Sequence, residues 1–178
     1  MKFLVGLIIG LIIIPVGALV YFLTGSVPVA TADQPMPFEK KVAKMALNAR
    51  VAKEAPKTAG LQVNEANLVS GAQTYLMNCA VCHGLPGTEP SLISQGMFPQ
   101  PPQLFKGKGV TDDPVGETYW KAANGIRLTG MPAFKKTLPD QDLWQVSLML
   151  ANADKLPASA QAILGPSPGQ NPKQTSAH

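Results

Sequence analysis

Aromatic residues make up only 6% of the 178-residue chain, and cysteine and histidine occur twice each. These shortages exclude several kinds of chemistry. A tetrahedral zinc site takes four ligands, and here the second histidine, His178, is the last residue of a polar tail. Both cysteines fall within one short motif, so no disulfide remains to staple the chain. No glycine-rich phosphate loop is present. No alternation of strand and helix patterns appears around the cysteines, as a dithiol oxidoreductase would show. Charge is missing from residues 3–25 altogether. The formal net charge is +4, yet residues 61–178 hold eight acids and eight bases, while residues 33–60 hold six bases against three acids. The basic excess therefore lies beside the apolar N-terminus, which argues against a nucleic-acid-binding face on the main domain.

What is present centres on Cys79, Cys82 and His83, which form C-x-x-C-H. Two thiols at this spacing lie within one helical turn, where each can add to one vinyl group of a single porphyrin. The adjacent imidazole then comes under the ring, within reach of the iron. The pattern is the attachment signature of a c-type haem. One covalently bound haem c also compensates for the scarcity of aromatic core.

Residues 3–25 span about 35 Å as a helix, enough to cross a hydrocarbon core of about 30 Å. Pro15 is compatible with a membrane helix. A cleaved signal peptide is the rival reading, since Ala30-Thr31-Ala32 resembles a cleavage site. The apolar run is longer than the usual signal core of about 7–15 residues, which favours an uncleaved anchor over residues 1–25. Residues 26–63 read as a linker. Within it, Phe38, Val42, Met45, Ala49 and Ala52 fall at helical spacing opposite a lysine-rich face. That helix either packs on its own domain or lies near anionic headgroups or a partner subunit.

Residues 64–156 are expected to form one all-α domain, and residues 157–178, rich in Pro, Ser, Gln and Ala, a disordered tail. Asn64 suits the N-cap of a helix running to about Asn78, and Asp140 the cap of a C-terminal helix. A shorter helix is expected over Val115–Asn124, ending at Gly125. Gly71 lowers helix propensity, which points to close approach by the C-terminal helix. The long Gly/Pro-rich stretch 84–109 needs something to organise it, and a haem would do so. Thioether sulfur suits haem iron, and position in the chain leaves Met97 and Met131 as sixth ligands. Met131 sits between Gly130 and Pro132, a loop that cannot be regular helix, and is the expected ligand. Met97 has a simpler role as a packing methionine.

Taken in order, Gly71–Tyr75, Cys79–Gly84, Pro101-Pro102-Gln103-Leu104, Asn124–Arg127 and Gly130–Phe134, followed by a helix carrying Trp144, resemble a single-haem class I cytochrome c. The closer resemblance is to membrane-anchored bacterial respiratory cytochromes c and cytochrome subunits of oxidases and dehydrogenases. It covers about residues 63–155. It implies a class I cytochrome c fold, an all-α arrangement of a few helices around one haem, here preceded by a transmembrane helix. It further implies that the Pro102 carbonyl orients His83, that Trp120 and Arg127 lie near a haem propionate, and that the haem domain faces the periplasm from the inner membrane.

An iron closed by His83 and Met131 has no open position for substrate. The expected function is one-electron transfer to and from redox partner proteins of a membrane respiratory chain, with no catalysis of its own. The alternatives are an integral cytochrome subunit of an oxidase, reductase or dehydrogenase, and a five-coordinate haem enzyme or gas sensor. Lys106, Lys108, Lys135 and Lys136 either confer solubility or steer an acidic partner.

Overall fold

The computed structural model describes residues 2–107 and 110–165, all helix, turn or loop with no strand among them. The chain divides into two compact units, residues 1–42 and 43–178. In the first, helix α1 spans Lys2–Leu23 and contains Pro15. Its length is about 33 Å, and among the described residues it is the one helix long and apolar enough to cross a membrane. Leu11, Ile14, Phe22 and Leu23 are exposed on it. The turns that follow are tied by the Asp33 carboxylate, which accepts the Val29 and Ala30 N–H groups at 3.0 and 2.9 Å.

Helix α2, Glu39–Glu54, leads into the second unit. There α3 (Glu65–Asn78), the short α4 (Ala80–His83), α5 (Leu92–Gln95), α6 (Val115–Asn124), a 3₁₀ turn at Phe134–Lys136, α7 (Asp140–Ala151) and α8 (Ala158–Leu164) follow in order. The Asn64 side chain accepts the Asn67 N–H at 2.8 Å and starts α3 as its residue type predicts. Helix α7 differs by one position. Its N-cap is Pro139, which puts Asp140 at the first helical position, where its carboxylate accepts the Tyr119 hydroxyl. That bond, ahead of burial, pushes the Tyr119 phenol up to about 12, and the Tyr119 ring stacks on Trp144 with centroids 4.0 Å apart.

The core forms where α3 crosses α7. Leu68, Ala72 and Tyr75 meet Val146, Leu148, Met149 and Leu150, all buried. Gly71 makes the crossing close: a Cβ there would sit 2.2 Å from the Gln145 carbonyl oxygen and 2.8 Å from Met149 Cβ. At the same junction the Gln145 amide donates to Asn67 Oδ1 at 3.0 Å.

The domain extends beyond residues 64–156 on both sides. Upstream, Val51 and Ala55 are buried. Pro56 lies against Gly116, and Gly60 lies under the Trp144 indole, each close enough to exclude a Cβ. Of the apolar stripe on α2, Val42 and Met45 are exposed. Downstream, α8 buries Ala160 and Leu164 in the core, so residues 158–164 are not tail. Their composition is bland, and the apolar surface of α3 gives this short helix its packing partner. Residues 166–178 lie outside the described residues.

A chain beginning at Ala43 is therefore expected to be more stable than one beginning at Glu65. Burial of Val51 alone contributes about 2 kcal/mol, or about 10 °C in melting temperature for a domain of this size. Thermal melts of the two truncated holoproteins check this.

Candidate functional site

Local structure explains how the C-x-x-C-H segment is presented. Cys79 closes α3, its N–H donating to the Tyr75 carbonyl at 2.8 Å. The Cys79 carbonyl then accepts the N–H groups of Cys82 and His83 at 3.1 and 2.9 Å. The two thiols and the imidazole thus share one helical turn. Gly84 ends it at φ 74°, a conformation that costs glycine least. Two groups hold Gly84 in place. The buried Tyr75 hydroxyl donates to its carbonyl at 2.7 Å, and Gln103 Oε1 occupies the space a Cβ would fill.

The segment 101–104 runs across this turn. The Leu104 N–H donates to the His83 carbonyl at 3.3 Å, and His83 Nδ1 lies 2.8 Å from the Pro102 carbonyl oxygen. A carbonyl only accepts, so Nδ1 carries the proton and the Nε2 lone pair is left for a metal. Burial lowers the His83 pKa, with the Pro102 bond opposing it, which favours the neutral imidazole a metal needs. Gln103 and the fully buried Ser94 complete the brace, the Gln103 amide reaching the Cys82 carbonyl at 3.3 Å and Ser94 Oγ at 3.4 Å. Sequence reasoning missed both. The only available signal was Gln103's place in the Pro-Pro-Gln-Leu segment.

Cys79, Cys82, His83, Pro102 and Met131 line a single cavity of about 510 Å³ whose walls include Val146 and Leu150 of α7 and Ile126 after α6. This size and apolar lining suit a cofactor. Met131 reaches it from a folded loop. Gly125 turns the chain at φ 66°, with a Cβ position 2.7 Å from the Ala133 nitrogen. The Ile126 N–H then donates to the Met131 carbonyl at 3.2 Å, and the Met131 N–H to Thr129 Oγ1 at 3.1 Å. Met97 is not in the cavity wall; its thioether packs on Gly130, with Cε 2.8 Å from that residue's Cβ position.

Trp120 and Arg127 do not line the cavity among the described residues. The Trp120 indole donates to Glu54 Oε2 at 3.2 Å, an acceptor far away in sequence that the resemblance did not anticipate, and Arg127 is exposed. Trp120→Phe is expected to leave the visible spectrum and midpoint potential unchanged while costing about 1–2 kcal/mol of stability. Spectroelectrochemistry beside a thermal melt checks both; a displaced potential would return Trp120 to the cofactor. Of the four lysines, Lys106 lines the cavity and lies 3.7 Å from Glu89. Lys135 and Lys136 are exposed on the 3₁₀ turn, and Lys108 lies outside the described residues.

The donor set fits a covalently held haem. Two half-buried free thiols lie on one turn beside a neutral, oriented imidazole, with a thioether in the same apolar cavity. It fits a dithiol oxidoreductase poorly. Burial, then the charge of Cys82, pushes the Cys79 thiol up to about 12, whereas reactive dithiols have a lowered pKa. No group of metal-binding acids, histidines and cysteines occurs elsewhere among the described residues.

This fold and cavity define a class I c-type cytochrome domain. Residues 66–148 match the family model of cytochrome c oxidase, cbb3-type, subunit III. Residues 66–148 are accordingly a cytochrome c domain, and it carries covalently bound haem c, with Cys79 and Cys82 present as the two attachment thiols. No curated protein matches the chain.

Proposed function

We propose that the chain is a one-electron carrier tethered to a membrane by α1, with His83 and Met131 as the residues that would hold the haem iron. The observation that carries this reading is the single cavity lined by Cys79, Cys82, His83 and Met131, with His83 Nδ1 held on the Pro102 carbonyl. When bound, the haem supplies reversible one-electron exchange. The chain's own residues do the rest. Pro102 fixes the tautomer and face of His83, Gln103 and Ser94 brace the turn, and the apolar wall of α7 excludes water and tunes the potential. Iron held by both residues would leave no open position for substrate, so the protein would serve redox partner proteins and would not itself be an enzyme. The length of α1 supports a single-pass anchor, and the resemblance to exported cytochromes supports a haem domain on the periplasmic side of the inner membrane.

The test is a redox titration of the purified full-length holoprotein combined with carbon monoxide binding. A one-electron transition and slow binding by the reduced protein are expected. Rapid binding would identify a five-coordinate haem enzyme or sensor and overturn the ligand assignment. The family match favours a second reading, in which the chain is a permanent subunit of an oxidase. Co-purification of a tagged chain with a larger complex from detergent-solubilised membranes distinguishes that from a free carrier.

A further inference from the structure

Helix α2 has two apolar faces, and its domain uses only one. Leu47 and Val51, one turn apart, lie on the inner side, and Val51 is 2% exposed. On the opposite side Val42, Met45, Ala49 and Ala52 continue an uninterrupted helical stripe. Val42 and Met45 are 61% and 63% exposed, and Phe38, one turn earlier, is 75% exposed. At about 100° per residue, Lys41 and Lys53 border this stripe about 60° to either side of its centre, and both are exposed. The acids of the helix are occupied. Glu39 Oε2 accepts the Met36 N–H at 2.9 Å, and Glu54 holds Arg50 at 2.7 Å and receives the Trp120 indole. The outer face is therefore apolar along its middle and cationic along both edges.

We propose that this face lies on an anionic phospholipid surface. Phe38, Val42 and Met45 enter the headgroup boundary, and Lys41 and Lys53 lie over lipid phosphates. An apolar stripe edged with lysine is the arrangement of a helix that rests in a bilayer interface. The proposal rests on the anchored reading above, because the segment from α1 to α2 is too short to carry the helix far. With residues 24–38 between them, even a fully extended chain keeps the start of α2 within about 50 Å of the end of α1. A loose tether thus becomes a fixed attachment: the helix that docks on lipid by one face carries the haem domain on the other.

The test uses full-length holoprotein in vesicles. Both native thiols are consumed as thioethers, so an introduced cysteine is the one site for a spin label. Met45→Cys reports the outer face, Ala43→Cys a position off the stripe, and Leu11→Cys the anchor. Each variant is used only if its haem spectrum matches the parent. In vesicles of phosphatidylcholine with phosphatidylglycerol, the Met45 label is expected to lose accessibility to a water-soluble nickel relaxant while the Ala43 label keeps it. That protection is expected to vanish in pure phosphatidylcholine and in the double variant Lys41→Gln/Lys53→Gln. Equal accessibility at positions 43 and 45 overturns the proposal, as does protection that persists in neutral lipid. Dipolar broadening between Met45 labels assigns the face to a second copy of the chain and likewise overturns it. The Leu11 label separates the two readings. A buried Leu11 label with an exposed Met45 label refutes the docking alone, and an exposed Leu11 label with a protected Met45 label refutes the anchor alone.

Discussion

Met131→Ala is expected to remove the methionine-sulfur-to-iron charge-transfer band from the far-red spectrum of the oxidised protein, to lower the midpoint potential, and to make carbon monoxide binding fast. Methionine ligation raises the potential of haem iron, and axial ligands and surroundings together command a range of about 0.8 V, so the fall should be a sizeable part of that range. The backbone around the substitution should hold. The loop is secured by the Ile126 N–H on the Met131 carbonyl and the Met131 N–H on Thr129 Oγ1, and neither bond needs the side chain. Met97→Leu is the matching control. Met97 fills space over Gly130 outside the cavity wall, so an isosteric hydrocarbon should keep the band. Loss of the band in Met97→Leu and its survival in Met131→Ala would reverse the two assignments.

Gly71→Ala is expected to destabilise the holoprotein by about 3 kcal/mol, lowering its melting temperature by more than about 10 °C. Helix propensity alone predicts the opposite sign, a gain of about 1 kcal/mol in a helix interior. The packing term is larger because the new methyl would meet main-chain atoms. The Gln145 carbonyl oxygen stands 2.2 Å from the Cβ position. A backbone carbonyl inside α7 cannot rotate away, so the two helices must separate along the core that also carries Val146 and Leu150, two walls of the haem cavity. Gly96→Ala provides the contrast. Gly96 has φ −83°, and a Cβ there would lie 3.6 Å from the nearest atom. Little change is expected. Thermal unfolding monitored through the haem absorption compares the two, and equal melting temperatures would refute the close-crossing account.

Where sequence reasoning succeeded, the deciding contacts are short in sequence. Asn64 caps α3 through a bond to Asn67, and Gly125 ends α6 as its lack of a side chain predicts. Where it failed, a distant partner intervened. Asp140 stands one position inside α7 and takes the hydroxyl of Tyr119, twenty-one positions upstream. Trp120 turned to Glu54, sixty-six positions upstream. Either face of α2 could have packed by periodicity alone, and the less obvious one, carrying Val51, did. Helix α8 has no strong signal of its own and exists because α3 leaves room for Ala160 and Leu164.

Chemistry written in adjacent residues could be read without coordinates: paired thiols beside an imidazole, an uncharged N-terminal run long enough to span a bilayer, and a methionine held between glycine and proline. Those features depend on covalent spacing and on one or two helical turns, so no fold is needed to recognise them. The braces of the site belong to the folded chain alone. The Pro102 carbonyl on His83 matched what the resemblance implied, but Gln103 and Ser94 behind the turn and Pro56 against Gly116 came from neither motif nor pattern. Such contacts join residues far apart in sequence, and a linear pattern records which groups are available without recording which of them will meet.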